Sequence, residues 1–184
     1  MTHRYLIALG SNMAHPRHGP PPAVLRAALV ALETSDLRVI ASAPIIASAP
    51  VGPSLRRYAN GAAVIETVRP PLALLDQLQA IEAAFGRNRR GQRWRARTLD
   101  LDIVLWDGGA FCDARLTVPH REYRNRTFVL GPAARIARDW RDPLTCLCVK
   151  HAHARLTRRA RLPKAPPPHD TCRAHSSVGR ATDF

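Results

Sequence analysis

Between Glu82 and Trp106 the chain sets Arg87, Arg89, Arg90, Arg93, Arg95 and Arg97 ahead of Asp100 and Asp102, with no acidic residue among the arginines. Guanidinium groups grip phosphate oxygens through a planar fork of N–H donors. Carboxylates suit a hard divalent cation such as Mg2+. The order Leu99, Asp100, Leu101, Asp102, Ile103, Val104, Leu105 alternates with period two. On a β-strand that alternation sends both carboxylates to one side and Leu101, Ile103 and Leu105 to the core. Loop cations followed by a metal-holding strand are the equipment for moving a phosphoryl group from a nucleotide, chemistry that rests on positioning and charge neutralisation. Each half alone is a weak signal. Arginine runs commonly form solvated faces or nucleic-acid contacts, and Asp-x-Asp pairs also hold metal in glycosyl-transfer and nuclease sites. Adjacency is what counts, because charges on an otherwise apolar strand need something cationic to offset them.

The elements that would position these residues follow from periodicity. Tyr5 to Leu9 is a short apolar run that breaks at Gly10, Ser11 and Asn12, as a strand running into a loop does. After Pro20, Pro21 and Pro22, the positions Leu25, Ala28, Leu29 and Leu32 recur at helical spacing and predict a helix over 22–34. Leu37 to Ile46 reads as a strand, Pro50, Gly52 and Pro53 as a loop, and Asn60 to Val68 as a further strand. Leu74, Leu78, Ile81 and Phe85 predict an amphipathic helix that stops near Gly86. With the aspartate strand closing the series, the order β-α-β-β-α-β describes an α+β, ferredoxin-like core. Beyond it, Leu116 to His120 reads as a loop, and Arg126 to Ala137 and Val149 to Arg159 as C-terminal helices. From Pro163 to Phe184 no apolar period remains, which predicts one domain over 1–162 and a disordered basic, proline-rich tail over 163–184.

A chain of 184 residues fits one domain with a sizeable core. It has no long apolar run, and MTHRYLIALGSN enters a strand-like segment at once, so the expectation is a cytoplasmic protein with no membrane span. Cys112, Cys146, Cys148 and Cys172 are irregularly placed, as reduced thiols are. The net charge of +14 invites a nucleic-acid reading. Much of it, however, lies in the arginine segment and in residues 151–184, where seven basic groups face Asp170 and Asp183. A ferredoxin-like sheet binds RNA through surface aromatics, but aromatics are 5% of this chain and no sheet segment carries the Lys/Arg-Gly-Phe type of cluster. A zinc role for Cys146, Cys148, His151 and His153 is disfavoured, because residues two apart on a helix point to different sides and zinc fingers use C-x-x-C.

Several separated segments, in order, carry a resemblance: GSN at 10–12, Tyr58-Ala59-Asn60, Glu82 with GRNRRGQRW, RTLDLDI, LTVPH at 116–120 and NRTFVLGPA at 125–133. Together they resemble the 6-hydroxymethyl-7,8-dihydropterin pyrophosphokinases of folate biosynthesis, over residues 4 to about 143. The resemblance implies transfer of pyrophosphate from ATP to 6-hydroxymethyl-7,8-dihydropterin with release of AMP. The implied partners are those two substrates, and the expectation is a monomer that engages neither nucleic acid nor membrane. Asp100 and Asp102 would hold two Mg2+ ions; with Arg87 and Arg97 they form the implied catalytic set. Glu82, Arg87, Arg93, Trp94, Arg97, Ile103, His120 and Arg126 fall at ATP-binding positions. Ser48, Val51, Tyr58, Asn60, Trp94 and Phe128 fall at pterin-binding positions, with Tyr58 and Phe128 as the stacking pair and Asn60 as the reader of the ring edge. Spacing alone leaves Phe128 divided between core and site.

The chain departs from the family pattern in three places. Arg121 stands where an aromatic is frequent, Ser48-Ala49-Pro50-Val51-Gly52 replaces a Thr-Pro-Pro-Leu-Gly type of loop, and Arg95-Ala96 replaces a stiffer Gly-Pro-like pair.

Overall fold

The structure, a computed structural model, describes residues 1–48, 57–86 and 98–158. Five strands make the main sheet: β1 (His3–Ser11), β2 (Leu37–Ser42), β3 (Ile46–Ser48), β4 (Tyr58–Thr67) and β5 (Asp100–Trp106). Their order is β2-β4-β1-β5, with β3 continuing the β2 side against β4, and every pairing is antiparallel. Helices α1 (Pro21–Leu32) and α2 (Pro71–Ala84) are the two crossovers of the expected β-α-β-β-α-β core. Both start with a proline in the first turn, where the missing N–H costs nothing.

Two apolar layers sandwich the sheet. On one face Tyr5, Ile7, Leu9, Ala63, Ile65, Leu101 and Ile103 pack against Val24, Leu25, Ala28 and Leu32 of α1 and Leu74 and Leu78 of α2. On the other, Leu6, Ala8, Ala62, Val64, Val104 and Leu105 pack against α3 (Thr127–Ile136) and α4 (Val149–Thr157). The expected C-terminal helices thus cover the second face of the sheet.

Three details differ from the sequence expectation. Leu37 to Ile46 is not one strand: the run divides into β2 and β3 around Pro44, which has no N–H for a ladder bond. Leu116 to His120 is not only loop, since Thr117–Val118 (β7) pairs with Phe111–Cys112 (β6). Leu105 is buried, but not beside Leu101 and Ile103. The register against β1 shifts between Leu6 and Ile7, so that Leu6 faces Leu105 and Ile7 faces Ile103. The bulge leaves Val104 unmatched and turns Leu105 to the second face.

At the end of α2, Phe85 donates its N–H to Ile81 and Gly86 donates to Ala83, and Gly86 adopts φ +80°. Among the described residues no heavy atom lies within 4 Å of the point where its Cβ would stand, so substitution there carries a backbone cost without a clash with them. Gly86→Ala is expected to lower stability by about 1 kcal/mol, read as a shift in the urea midpoint at constant m.

Candidate active site

The sheet register gathers several of the expected residues on its second face. Gly10 on β1 pairs with Asn60 on β4 and with Asp100 on β5, and Ile46 on β3 pairs with Asn60. Ile46, Asn60, Gly10 and Asp100 therefore form one row across four strands and face the same way. In the next row Ala62, Ala8 and Asp102 stand side by side. The two carboxylates point to one side as the alternation predicted, beside β1, which bears only Gly10 and Ala8 in those rows. Asp100 and Asp102 are partly exposed, while Leu101 between them is buried on the opposite face.

Ser48 pairs with Tyr58 one row beyond Asn60. The Asn60 side chain is 5% exposed and donates from Nδ2 to Ser48 Oγ at 2.7 Å. That bond fixes the carboxamide, and its Oδ1 is the nearest side-chain atom over Gly10, along with Asp100 Cβ. Tyr58 is partly exposed at the start of β4. Phe128, in the first turn of α3, is also partly buried: it packs on the second core layer and lies under the Arg126 guanidinium, whose Cζ is 5.9 Å from the ring centroid. The core and site readings of Phe128 are therefore compatible, since one part of the ring packs and another stays open.

His120 reaches this face through the bulge. Its N–H donates to the carbonyl of Val104 at 3.0 Å, so the residue left unmatched in the ladder docks the segment after β7. The His120 Nδ1 accepts the N–H of Glu122 at 3.2 Å, which places a neutral ring's proton on Nε2, a donor available to an anion. Ile103, expected at the nucleotide site, is 2% exposed and packs on the first core layer.

Glu82 is 2% exposed, and its Oε1 accepts the N–H of Leu101 at 2.8 Å. The carboxylate thus ties the end of α2 to β5 between the two aspartates, a positioning contact in addition to the nucleotide contact expected of it. Arg87, Arg93, Trp94, Arg97 and Val51 lie outside the described residues, as do Arg89, Arg90, Arg95 and the 163–184 tail.

Sequence reasoning missed the anchor beneath His120, Arg126 and Phe128. Tyr123 Oη and Arg124 Nε both donate to Asp142 Oδ2, at 2.6 Å and 2.5 Å, and the Leu144 N–H donates to Oδ1 at 2.9 Å. Asp142 is 2% exposed. Burial alone would raise its pKa, but the bonds from Arg124, Tyr123 and Leu144 outweigh burial and hold the carboxyl well below the usual carboxylate range. The available signal was Tyr123 and Arg124 within REYRNRTF followed by Asp139 and Asp142, the two acids of an otherwise basic stretch.

Among the described residues no three of His, Cys, Asp and Glu converge as a metal cage. A two-carboxylate Mg2+ site needs no third, because Mg2+ keeps waters and takes its remaining ligands from substrate phosphates. Two all-oxygen side chains on one face, with small neighbours across the sheet, fit that group.

Comparison with known proteins bears on the family and the fold. Residues 6–138 match the family model described as 7,8-dihydro-6-hydroxymethylpterin-pyrophosphokinase. A Pseudomonas aeruginosa protein named 2-amino-4-hydroxy-6-hydroxymethyldihydropteridine pyrophosphokinase is 45% identical over 145 residues, covering 78% of this chain and 86% of the relative. A protein of the same name from Haemophilus influenzae is 43% identical over 135 residues, covering 72% and 81%. The fold is similar to that of Plasmodium falciparum HPPK-DHPS wild type with SDX-DHP, with a TM-score of 0.66 over 84% of this chain and 44% of that one. This chain thus spans less than half of the solved chain, and at 10% identity the likeness shows the fold alone.

Proposed function

The chain belongs to the 7,8-dihydro-6-hydroxymethylpterin-pyrophosphokinase family, the pyrophosphokinases of folate biosynthesis, and from that premise we propose how its own residues carry the reaction. ATP is the donor and 6-hydroxymethyl-7,8-dihydropterin the acceptor. The hydroxymethyl oxygen attacks the β-phosphorus, the bond from that phosphorus to the α–β bridging oxygen breaks, and AMP leaves with the bridging oxygen. The hydroxyl proton passes to a carboxylate or to water.

Asp100 and Asp102 hold two Mg2+ ions with the triphosphate. When bound there, Mg2+ would supply charge neutralisation for the transferred group. Tyr58 and Phe128 stack the pterin, and Asn60, held by Ser48, reads its edge; Val51 and Trp94 complete this side. His120 offers Nε2–H, and Arg126, Arg87, Arg93 and Arg97 offer guanidinium forks to the phosphates. Glu82 keeps β5 in register beneath the nucleotide, and Ile103, whose side chain packs on the first core layer, would border the nucleotide through its backbone alone. We read the enzyme as cytoplasmic and monomeric; no helix among the described residues is long and apolar enough to cross a membrane. Residues 1–162 form the catalytic domain, and the 163–184 tail is dispensable.

The observation that supports this reading is the row Asn60–Gly10–Asp100, with Asn60 and Asp100 on one face and the single strand β1 between them. Protein mixed with ATP, Mg2+ and the hydroxymethyl pterin is expected to release AMP in step with pterin consumed, with the full chain and with a chain stopped after Leu162. ADP as the product would rule the reaction out.

A further inference from the structure

We propose that Gly10 determines specificity for the pterin: its missing side chain leaves the slot through which the hydroxymethyl arm passes from the Asn60 side of the sheet to the carboxylates on β5. This rests on the reading of the site given above and adds a residue to it. Asn60 and Asp100 are separated by two interstrand spacings, roughly 9–10 Å between Cα atoms, and Gly10 is the residue between them.

Three ordinary reasons for a glycine do not apply at this position. Its φ lies outside the left-handed region, which Gly19, Gly86 and Gly109 occupy. A Cβ would find Asn60 Oδ1 and Asp100 Cβ each at 3.8 Å, ordinary van der Waals contact, so packing among the described residues does not demand its absence. Nor does strand stability favour it, since glycine inside a strand is less stable than alanine. Space above the row remains as the reason.

A methyl group at position 10 would point from the central strand into that space, at the midpoint between the group that reads the ring and the group that holds the metal. The neighbouring row, Ala62–Ala8–Asp102, is also small, but Ala62 and Ala8 are buried in the second core layer whereas Gly10 is partly exposed. The slot is therefore open at Gly10 and closed behind it.

The test compares wild type with Gly10→Ala and Gly10→Ser by titrating the hydroxymethyl pterin, followed by its fluorescence, onto protein saturated with Mg2+ and α,β-methylene-ATP. Pterin affinity is expected to fall about tenfold or more in both variants. Affinity for the Mg2+–nucleotide analogue should stay within threefold, and the thermal midpoint should hold or rise. A purely structural role predicts the opposite pairing: a lower midpoint and both affinities reduced together. Unchanged pterin affinity in Gly10→Ala would overturn the proposal. Because binding is read without turnover, failure of the wild type to form AMP counts against the reaction, not against the slot.

Discussion

Asp102→Ala is expected to reduce kcat/KM by about three orders of magnitude or more, because the carboxylate contributes several kcal/mol of metal-mediated charge stabilisation and each 1.36 kcal/mol is a factor of ten. The reasoning runs from the strand upward. Alternation on β5 puts Asp100 and Asp102 on the same side, and the partners opposite them on β1 are Gly10 and Ala8, which occupy little of that face. Nothing else among the described residues forms a metal-holding cluster that could substitute. Initial rates of AMP formation at saturating Mg2+ measure the loss. Asp102→Asn, which keeps the shape and removes the charge, should be nearly as inactive, with a thermal midpoint close to wild type. A rate within tenfold of wild type in both variants would mean that the pair holds no catalytic metal.

Asp142→Ala is expected to destabilise the protein by about 3 kcal/mol, since removing the buried carboxylate leaves the partly buried Arg124 guanidinium and the buried Tyr123 hydroxyl without their acceptor. Arg124 and Tyr123 would lose their shared acceptor, and the Leu144 amide its cap. For a domain of this size that corresponds to a drop of roughly 6–12 °C in thermal midpoint. The same network positions the segment from His120 to Phe128, so the KM for both substrates should rise as well. The pH dependence has a definite sign. The folded carboxyl is held below its unfolded value, so its contribution is complete above about pH 4 and fades as pH falls toward the folded value. Wild type should therefore lose stability below about pH 4 more steeply than Asp142→Asn, as urea midpoints across that range would record.

Much of the fold is legible in the sequence because burial is periodic. The α2 pattern Leu74, Leu78, Ile81, Phe85 and the prolines opening α1 reproduce the observed helices within a few residues. The β5 alternation reads correctly as far as Ile103. It fails at Val104 because a bulge is a two-to-one match with another strand, and no local pattern encodes which residue will lack a partner. That failure has a function in the structure, since the unmatched Val104 carbonyl is what receives His120. The division of β2 from β3 was signalled by Pro44 and outweighed by the branched residues around it.

The candidate site is legible in its residue types more than in its arrangement. Asp100, Asp102, Asn60 and Ser48 stand out by type or by resemblance, yet that Asn60 and Asp100 share a row with Gly10 between them follows only from strand register. Glu82 illustrates the same limit. The resemblance implies a nucleotide contact for it, and its burial and its bond to the Leu101 amide add a tie between helix and strand that only the structure reveals. The Tyr123–Arg124–Asp142 anchor joins residues 18 and 19 positions apart, a separation that periodicity does not report.

The central claim is that the two carboxylates on β5 hold the magnesium-bound nucleotide. Calorimetric titration of α,β-methylene-ATP into wild type and into the Asp100→Asn/Asp102→Asn double variant, each with Mg2+ and with EDTA, tests it most directly. The account predicts that Mg2+ tightens binding at least tenfold in wild type and leaves the double variant at its EDTA affinity. A double variant that kept the full Mg2+-dependent gain would contradict it.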